Sequence, residues 1–163
     1  MSIEPLQRPA ASSAVVRKRM RATRRRDTPA EMQLRRGLHR LGLRYRVDAR
    51  PLGSMRTRAD LVFAGARVAV FVDGCFWHSC PAHASVPRTN RDWWLRKLAA
   101  NRERDERTTR ELEEAGWLVL RFWTHEDMDR AAQRVAAAVR LRRQEPPSLP
   151  ASSCPSSASS SRS

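Results

Sequence analysis

The chain has 163 residues, with 32 Lys and Arg against 17 Asp and Glu and a formal net charge of +15. That length fits one domain with a modest core, and an excess carried mostly by arginine points to a polyanionic partner, nucleic acid above all. No run of 18 apolar residues occurs, so no membrane span is expected, and an odd cysteine count of three argues against a disulfide framework.

In chain order, residues 1–14 read as a flexible arm without an apolar signal core, so secretion is not expected. Seven of the ten positions from 17 to 26 are basic (Arg17, Lys18, Arg19, Arg21, Arg24, Arg25 and Arg26). That density suits a phosphate-binding arm better than a merely solvated face. Thr28-Pro29-Ala30-Glu31 starts a helix: Thr28 caps, Pro29 takes the first helical position and Glu31 reaches back to the cap. Leu34, Leu38 and Leu41 follow at helical spacing, and Gly42 ends the helix. Leu43, Tyr45 and Val47 alternate as a short strand, and residues 50–58 form a turn or loop. Residues 59–63 and 67–72 are apolar runs split by Ala64-Gly65-Ala66, which predicts a hairpin of paired strands. A long connection leads to a helix that starts near Arg91, capped by Thr89 with Asp92 or by Asn90, and runs, with or without a break, to Ala115 before Gly116. Residues 117–123 read as a buried strand. Residues 127–142 read as a helix with Ala131, Val135 and Val139 on one face. From Gln144 the chain is rich in Ser and Pro, with nine serines in the last twenty residues, and is expected to be disordered, Cys154 with it. The order of elements predicts a three-layer α/β domain with a mixed central sheet over residues 15–143.

The chemistry concentrates in Phe71-Val72-Asp73-Gly74-Cys75-Phe76-Trp77-His78-Ser79-Cys80-Pro81-Ala82-His83. Cys75, Cys80 and His83, with His125 as a fourth ligand from beyond the strand ending at Trp123, suit a closed tetrahedral zinc site. The competing reading is two buried cysteines and two surface histidines. Asp60 interrupts an apolar strand. A carboxylate there is costly unless it faces solvent, a cation or a metal, so it is either an acid on an edge strand or a ligand for Mg²⁺ against a phosphate. Asp73 and Glu31 bring further carboxylates from other elements. His78, between the two cysteines, is either a spare zinc ligand, an exposed histidine or a positioned proton-transfer group. Phe76-Trp77 and Trp93-Trp94 are too bulky for all four rings to face one core, which leaves rings to stack on or wedge between bases. The segment Asn101-Arg102-Glu103-Arg104-Asp105 reads, taken alone, as a solvated helix face carrying i,i+4 pairs.

Together these residues resemble the very short patch repair (Vsr) DNA mismatch endonucleases of bacteria. The resemblance runs from about Arg19 to Asp127. It is carried by Met20-Arg21-Ala22, Thr28-Pro29-Ala30-Glu31, Ala59-Asp60-Leu61-Val62-Phe63, the Gly74-Cys75-Phe76-Trp77-His78 core, Pro87-Arg88-Thr89-Asn90, Asn101-Arg102-Glu103-Arg104-Asp105 and Gly116-Trp117-Leu118-Val119-Leu120. It implies a restriction-endonuclease-like fold with a structural zinc, and Mg²⁺-dependent nicking of double-stranded DNA 5′ of the T in a T:G mismatch left by deaminated 5-methylcytosine. It implies Asp60 and the backbone carbonyl of Val72 as holders of Mg²⁺, His78 as activator of water, and Glu31 and Asp105 as supports. Phe76, Trp77 and Trp94 would intercalate, and Cys75, Cys80, His83 and His125 would hold zinc. A monomer in the bacterial cytoplasm, at the nucleoid, is the expected setting, with mismatch-repair proteins as further partners. Two departures stand out. Some members carry Thr-His where this chain has Val72-Asp73, so Asp73 replaces an imidazole with a carboxylate and would add a metal ligand or shift metal preference. Ala59 stands where a proline often precedes the aspartate. The alternatives are a zinc module that binds damaged DNA without cutting it, and a nickase of the same fold with another DNA target.

Overall fold

The computed structural model describes residues 27–83 and 86–144. The arm, the basic residues from Arg17 to Arg26 and the Ser/Pro-rich tail with Cys154 lie outside the described residues. Helix α1 (Pro29–Arg40) begins as its sequence dictates. The Thr28 hydroxyl accepts the Glu31 N–H at 3.3 Å and donates to Glu31 Oε1 at 3.0 Å, while Glu31 Oε2 accepts the Asp27 N–H at 3.0 Å. It ends in a Schellman turn. Gly42, at φ +73°, donates to His39 O at 2.9 Å and Leu43 donates to Leu38 O at 3.1 Å. That turn explains why strand β1 (Arg46–Ala49) starts three residues later than the alternation predicts: Leu43 is already committed to closing the helix and is buried in the core.

Strands β2 (Ala59–Phe63) and β3 (Val68–Asp73) form the expected antiparallel hairpin, joined by a single 3₁₀ turn over Ala64–Ala66. Helix α2 (Arg91–Glu114) is unbroken and crosses from β3 to β4 (Leu118–Trp123), which lies parallel to β3. Asn90 occupies the N-cap position of α2 at φ +57° without a side-chain capping bond, so none of the expected capping residues supplies one. A second Schellman turn at Gly116, φ +80°, stops α2 and releases the chain into β4. Asp127 Oδ1 accepts the N–H groups of Asp129 and Arg130, and α3 (Met128–Gln144) follows.

The sheet order is β1-β2-β3-β4. One face carries Leu61, Phe63, Val68, Val70 and Phe122 against Leu34 and Leu38 of α1 and Val135 and Val139 of α3. The other carries Val62, Ala69 and Phe71 against Leu112 of α2 and Trp117. The domain is therefore α/β in three layers with a mixed sheet, as the sequence predicts. No helix among the described residues is long and apolar enough to cross a membrane.

Helices α1 and α3 approach closely at Gly37, where an added Cβ would lie 2.8 Å from the Ala132 Cβ. Gly37→Ala gains about 1 kcal/mol of helix propensity but overpacks a contact that costs about 1–3 kcal/mol. A net loss of about 1 kcal/mol is expected, read as a lower urea midpoint at unchanged slope.

Candidate catalytic and metal centre

Parallel pairing of β3 with β4 brings two chain exits to one edge. Asp73 lies opposite Trp123, and the Thr124 N–H donates to Asp73 O at 3.0 Å. The loop after β3 is wound tight by its own backbone: His78 N–H donates to Gly74 O at 3.1 Å, Cys80 to Cys75 O at 2.9 Å and His83 to Cys80 O at 3.3 Å. Ser79 takes φ +55° to close it. Cys75, Cys80 and His83 are thereby gathered, and the Thr124-His125 exit of β4 delivers His125. All four ligand atoms lie within 4.8 Å of one another. Cys75 Sγ is 3.1 Å from His125 Nδ1, and Cys80 Sγ is 3.7 Å from His83 Nδ1 and 3.8 Å from His125 Nδ1. Zinc bond lengths of about 2.3 Å to sulfur and about 2.0 Å to nitrogen require tetrahedral edges of roughly 3.5 Å. Two thiols and two imidazoles at these separations fit one tetrahedral ion, and both thiols are free of disulfide bonds.

Asp60 stands where the β2–β3 ladder ends. The last registered pair is Leu61 with Val70, and beyond it the Val72 N–H donates to Asp60 Oδ2 at 2.7 Å. The carboxylate thus substitutes for a strand carbonyl and is fixed by that bond. Burial raises the Asp60 pKa, the Val72 N–H draws it partly back, and Glu31 and Asp73 push it up again, with Arg35 opposing, to about 6. Glu31 is itself buried, and Arg35 reaches its Oε2 at 3.3 Å. A partly desolvated carboxylate facing two other acids is an environment that a divalent cation would relieve.

His78 Nδ1 lies 2.5 Å from Asp105 Oδ2 and 3.5 Å from Asp73 Oδ1. Burial raises the Asp105 pKa, but the hydrogen bond and charge of His78, with Arg121 and Arg104, outweigh it and leave the group below the ordinary carboxylate value. For Asp73, burial outweighs the lowering by Arg121 and His78, and Asp105 adds to the rise. A cavity of about 470 Å³ opens beside these groups, with Arg102, Arg110 and Arg121 on its wall.

The Phe76 and Trp77 rings meet edge-on at 5.1 Å, and Trp94 lies 5.3 Å from Phe76 and 5.9 Å from Trp77. Trp94 is buried at 7 % exposure, while Phe76 and Trp77 are half-buried at the loop surface. Asn101, buried in α2, donates Nδ2 to Trp77 O at 3.1 Å. The segment from Asn101 to Asp105 is therefore not simply a solvated face, since both its ends grip the loop.

Two participants escape the sequence reading. Arg121, in an apolar strand, donates Nε to Asp73 Oδ2 at 2.8 Å and Nη2 to Asp73 Oδ1 at 3.4 Å. Its signal was a lone cation in an apolar run, which was expected to be buried but over β4 is half-buried apart from Phe122; its partner is found only once the β3–β4 register is known. Arg35 links Glu31 to Asp27, with an Nη1–Oδ1 distance of 2.6 Å to the latter. Its i,i+4 spacing from Glu31 was the available clue.

Known proteins carry related sequences. The family description "DNA mismatch endonuclease Vsr" matches residues 11–83. The type II nicking enzyme V.NaeI of Lentzea aerocolonigenes is 44% identical over 129 residues, 78% of each chain. The type II nicking enzyme V.NmeDIP of Neisseria meningitidis serogroup C is 36% identical, over 76% of this chain and 85% of its own. The DNA mismatch endonuclease Vsr of Escherichia coli K12 is 40% identical over 107 residues, 65% of this chain and 67% of its own. With identity of this order sustained over most of the chain, and the family's own pattern matched up to His83, the chain belongs to the Vsr family of DNA mismatch endonucleases.

Proposed function

We propose that this protein nicks one strand of duplex DNA 5′ of the T in a T:G mismatch, by Mg²⁺-dependent hydrolysis of the phosphodiester. The 2.5 Å contact between His78 Nδ1 and Asp105 carries the reading. With a carboxylate on Nδ1, that nitrogen holds the proton and Nε2 keeps the lone pair that accepts a proton from the attacking water. Asp60 and the Val72 carbonyl would hold Mg²⁺, with Glu31 behind Asp60. When bound, the ion supplies positive charge at the scissile phosphate. The set Cys75, Cys80, His83 and His125 would hold zinc and fix the loop that bears His78. Phe76, Trp77 and Trp94 insert beside the mismatch, where a wobble pair costs less to unstack than a matched one. The basic residues from Arg17 to Arg26 neutralise backbone phosphates without reading sequence.

The test is a nicking assay on matched and T:G duplexes with Mg²⁺ or EDTA. A single nick in the mismatched duplex with Mg²⁺ is expected. Equal cutting of both duplexes would remove the mismatch claim, and intact DNA throughout would leave a DNA-binding module. His78→Ala is expected to slow nicking by roughly 10²–10⁴-fold, and Asp105→Asn, which loses the acceptor that fixes the ring, by roughly 10–100-fold.

The names of the V.NaeI and V.NmeDIP relatives, type II nicking enzymes, favour a second reading in which the flanking sequence around the nick differs from that used in very short patch repair. A panel of T:G duplexes with varied flanks separates the two.

A further inference from the structure

We infer that Arg121 is a positioning residue of this site, pairing with Asp73 so that Asp105 alone holds the imidazole of His78. The inference rests on the proposed nicking reaction and adds to it a residue outside the set drawn from the family motifs.

Two carboxylates approach one ring nitrogen. His78 Nδ1 is 2.5 Å from Asp105 Oδ2 and 3.5 Å from Asp73 Oδ1. Nδ1 has one proton, so the two acids compete for it. Arg121 resolves the competition. Its forked guanidinium engages both oxygens of Asp73, at 2.8 and 3.4 Å, and lies 3.6 Å from Asp105 Oδ1. The arginine is itself held in place. Its guanidinium carbon sits 4.6 Å over the Phe71 ring, and Nη1 reaches Thr109 Oγ1 at 3.5 Å. The sheet register puts it there: Arg121 pairs with Phe71, and Asp73 lies two residues further along β3, on the same face. A half-buried fork between two acids cancels their mutual repulsion and fixes which one faces the imidazole. It also occupies the oxygens with which Asp73 would otherwise turn toward a cation at Asp60.

The experiment compares the full chain with Arg121→Gln, Arg121→Lys, and Asp73→Asn combined with Arg121→Gln. The double variant removes both charges together and leaves no buried ion without its partner. Two readouts are taken on each: single-turnover nicking of a T:G duplex alongside its dissociation constant, and the far-downfield proton of the short His78–Asp105 hydrogen bond by NMR. Arg121→Gln is expected to nick roughly 10²-fold more slowly while binding DNA within roughly threefold of the parent, and to lose the downfield proton. Arg121→Lys recovers part of the rate, since lysine keeps the charge but not the fork. The double variant recovers the proton signal and most of the rate, because the competing carboxylate has gone.

An unimpaired Arg121→Gln, a double variant no faster than the single one, or a loss of binding as large as the loss of rate overturns the inference. The last outcome would make Arg121 a phosphate contact. An unmodified chain that leaves T:G duplexes intact defeats the mismatch reading instead. The NMR signal, which needs no substrate, still decides the pairing.

Discussion

Replacing Asp60 by asparagine is expected to abolish nicking and, in the same protein, to raise the melting temperature near neutral pH in a chelating buffer. The two effects share one origin. The amide side chain keeps an oxygen for the Val72 N–H but gives up the charge that a cation needs. A loss of several kcal/mol of transition-state stabilisation corresponds to about 10³-fold in rate or more. The gain in stability follows from the raised pKa of about 6, set mainly by burial, against an unfolded value of about 3.9. An acid whose folded pKa is raised binds its proton more tightly in the native state. Its contribution is therefore most favourable below about pH 4 and is lost as pH rises through about 6. Above that range the ionised carboxylate costs the fold about 3 kcal/mol, a cost the asparagine does not carry. The unmodified chain without metal should thus lose stability between those pH values, and Asp60→Asn should lose less. Added Mg²⁺ should stabilise only the former. A variant that melts lower than its parent in chelator at every pH would refute the account.

Stripping the Cys/His cluster should be the more damaging change to structure. Purified protein is expected to contain one zinc per chain by metal analysis, and Cys80→Ser to contain none. Structural zinc binds only the folded site, so its binding energy is folding energy. At free zinc a thousandfold above the dissociation constant the gain is about 4 kcal/mol, which for a domain of this size corresponds to a melting shift of about 10 °C or more. Nicking should fall with zinc removal although Asp60, Asp105 and Arg121 are untouched, because His78 sits between Cys75 and Cys80 in the loop the cluster ties down. Restoring zinc should restore the rate. A stripped protein that melts and nicks normally would show that the four residues do not hold a structural ion.

Much of the architecture was written locally. The Thr28-Pro29-Glu31 cap, the two apolar runs of the hairpin and the glycines that end α1 and α2 each act through neighbours a few residues away, which is the range over which sequence patterns speak. The gathering of Cys75, Cys80 and His83 was equally local, and His125 joined them because two parallel strands end together. What could not be read was register. Arg121 and Asp73 meet only because β3 and β4 are aligned at one offset, and a one-residue slip would send the guanidinium to the opposite face. Asn101 was hidden for another reason, and Asp105 was named only through the family resemblance, not by the pattern of its own helix. A charged helix segment looks the same in sequence whether its face meets water or a loop, and only their four-residue spacing hinted at a shared direction.

That spacing has a consequence for the proposed discrimination of a defect from sound DNA. A single turn of α2 holds the Trp77 carbonyl through Asn101 and the His78 ring through Asp105. Rings inserted into a base step, as proposed, would pull on the same short rod that aims the proposed proton acceptor. On the proposed reading, recognition and hydrolysis would be geared together: a duplex that refuses the rings would leave the acceptor out of line, a checkpoint made from one helical turn.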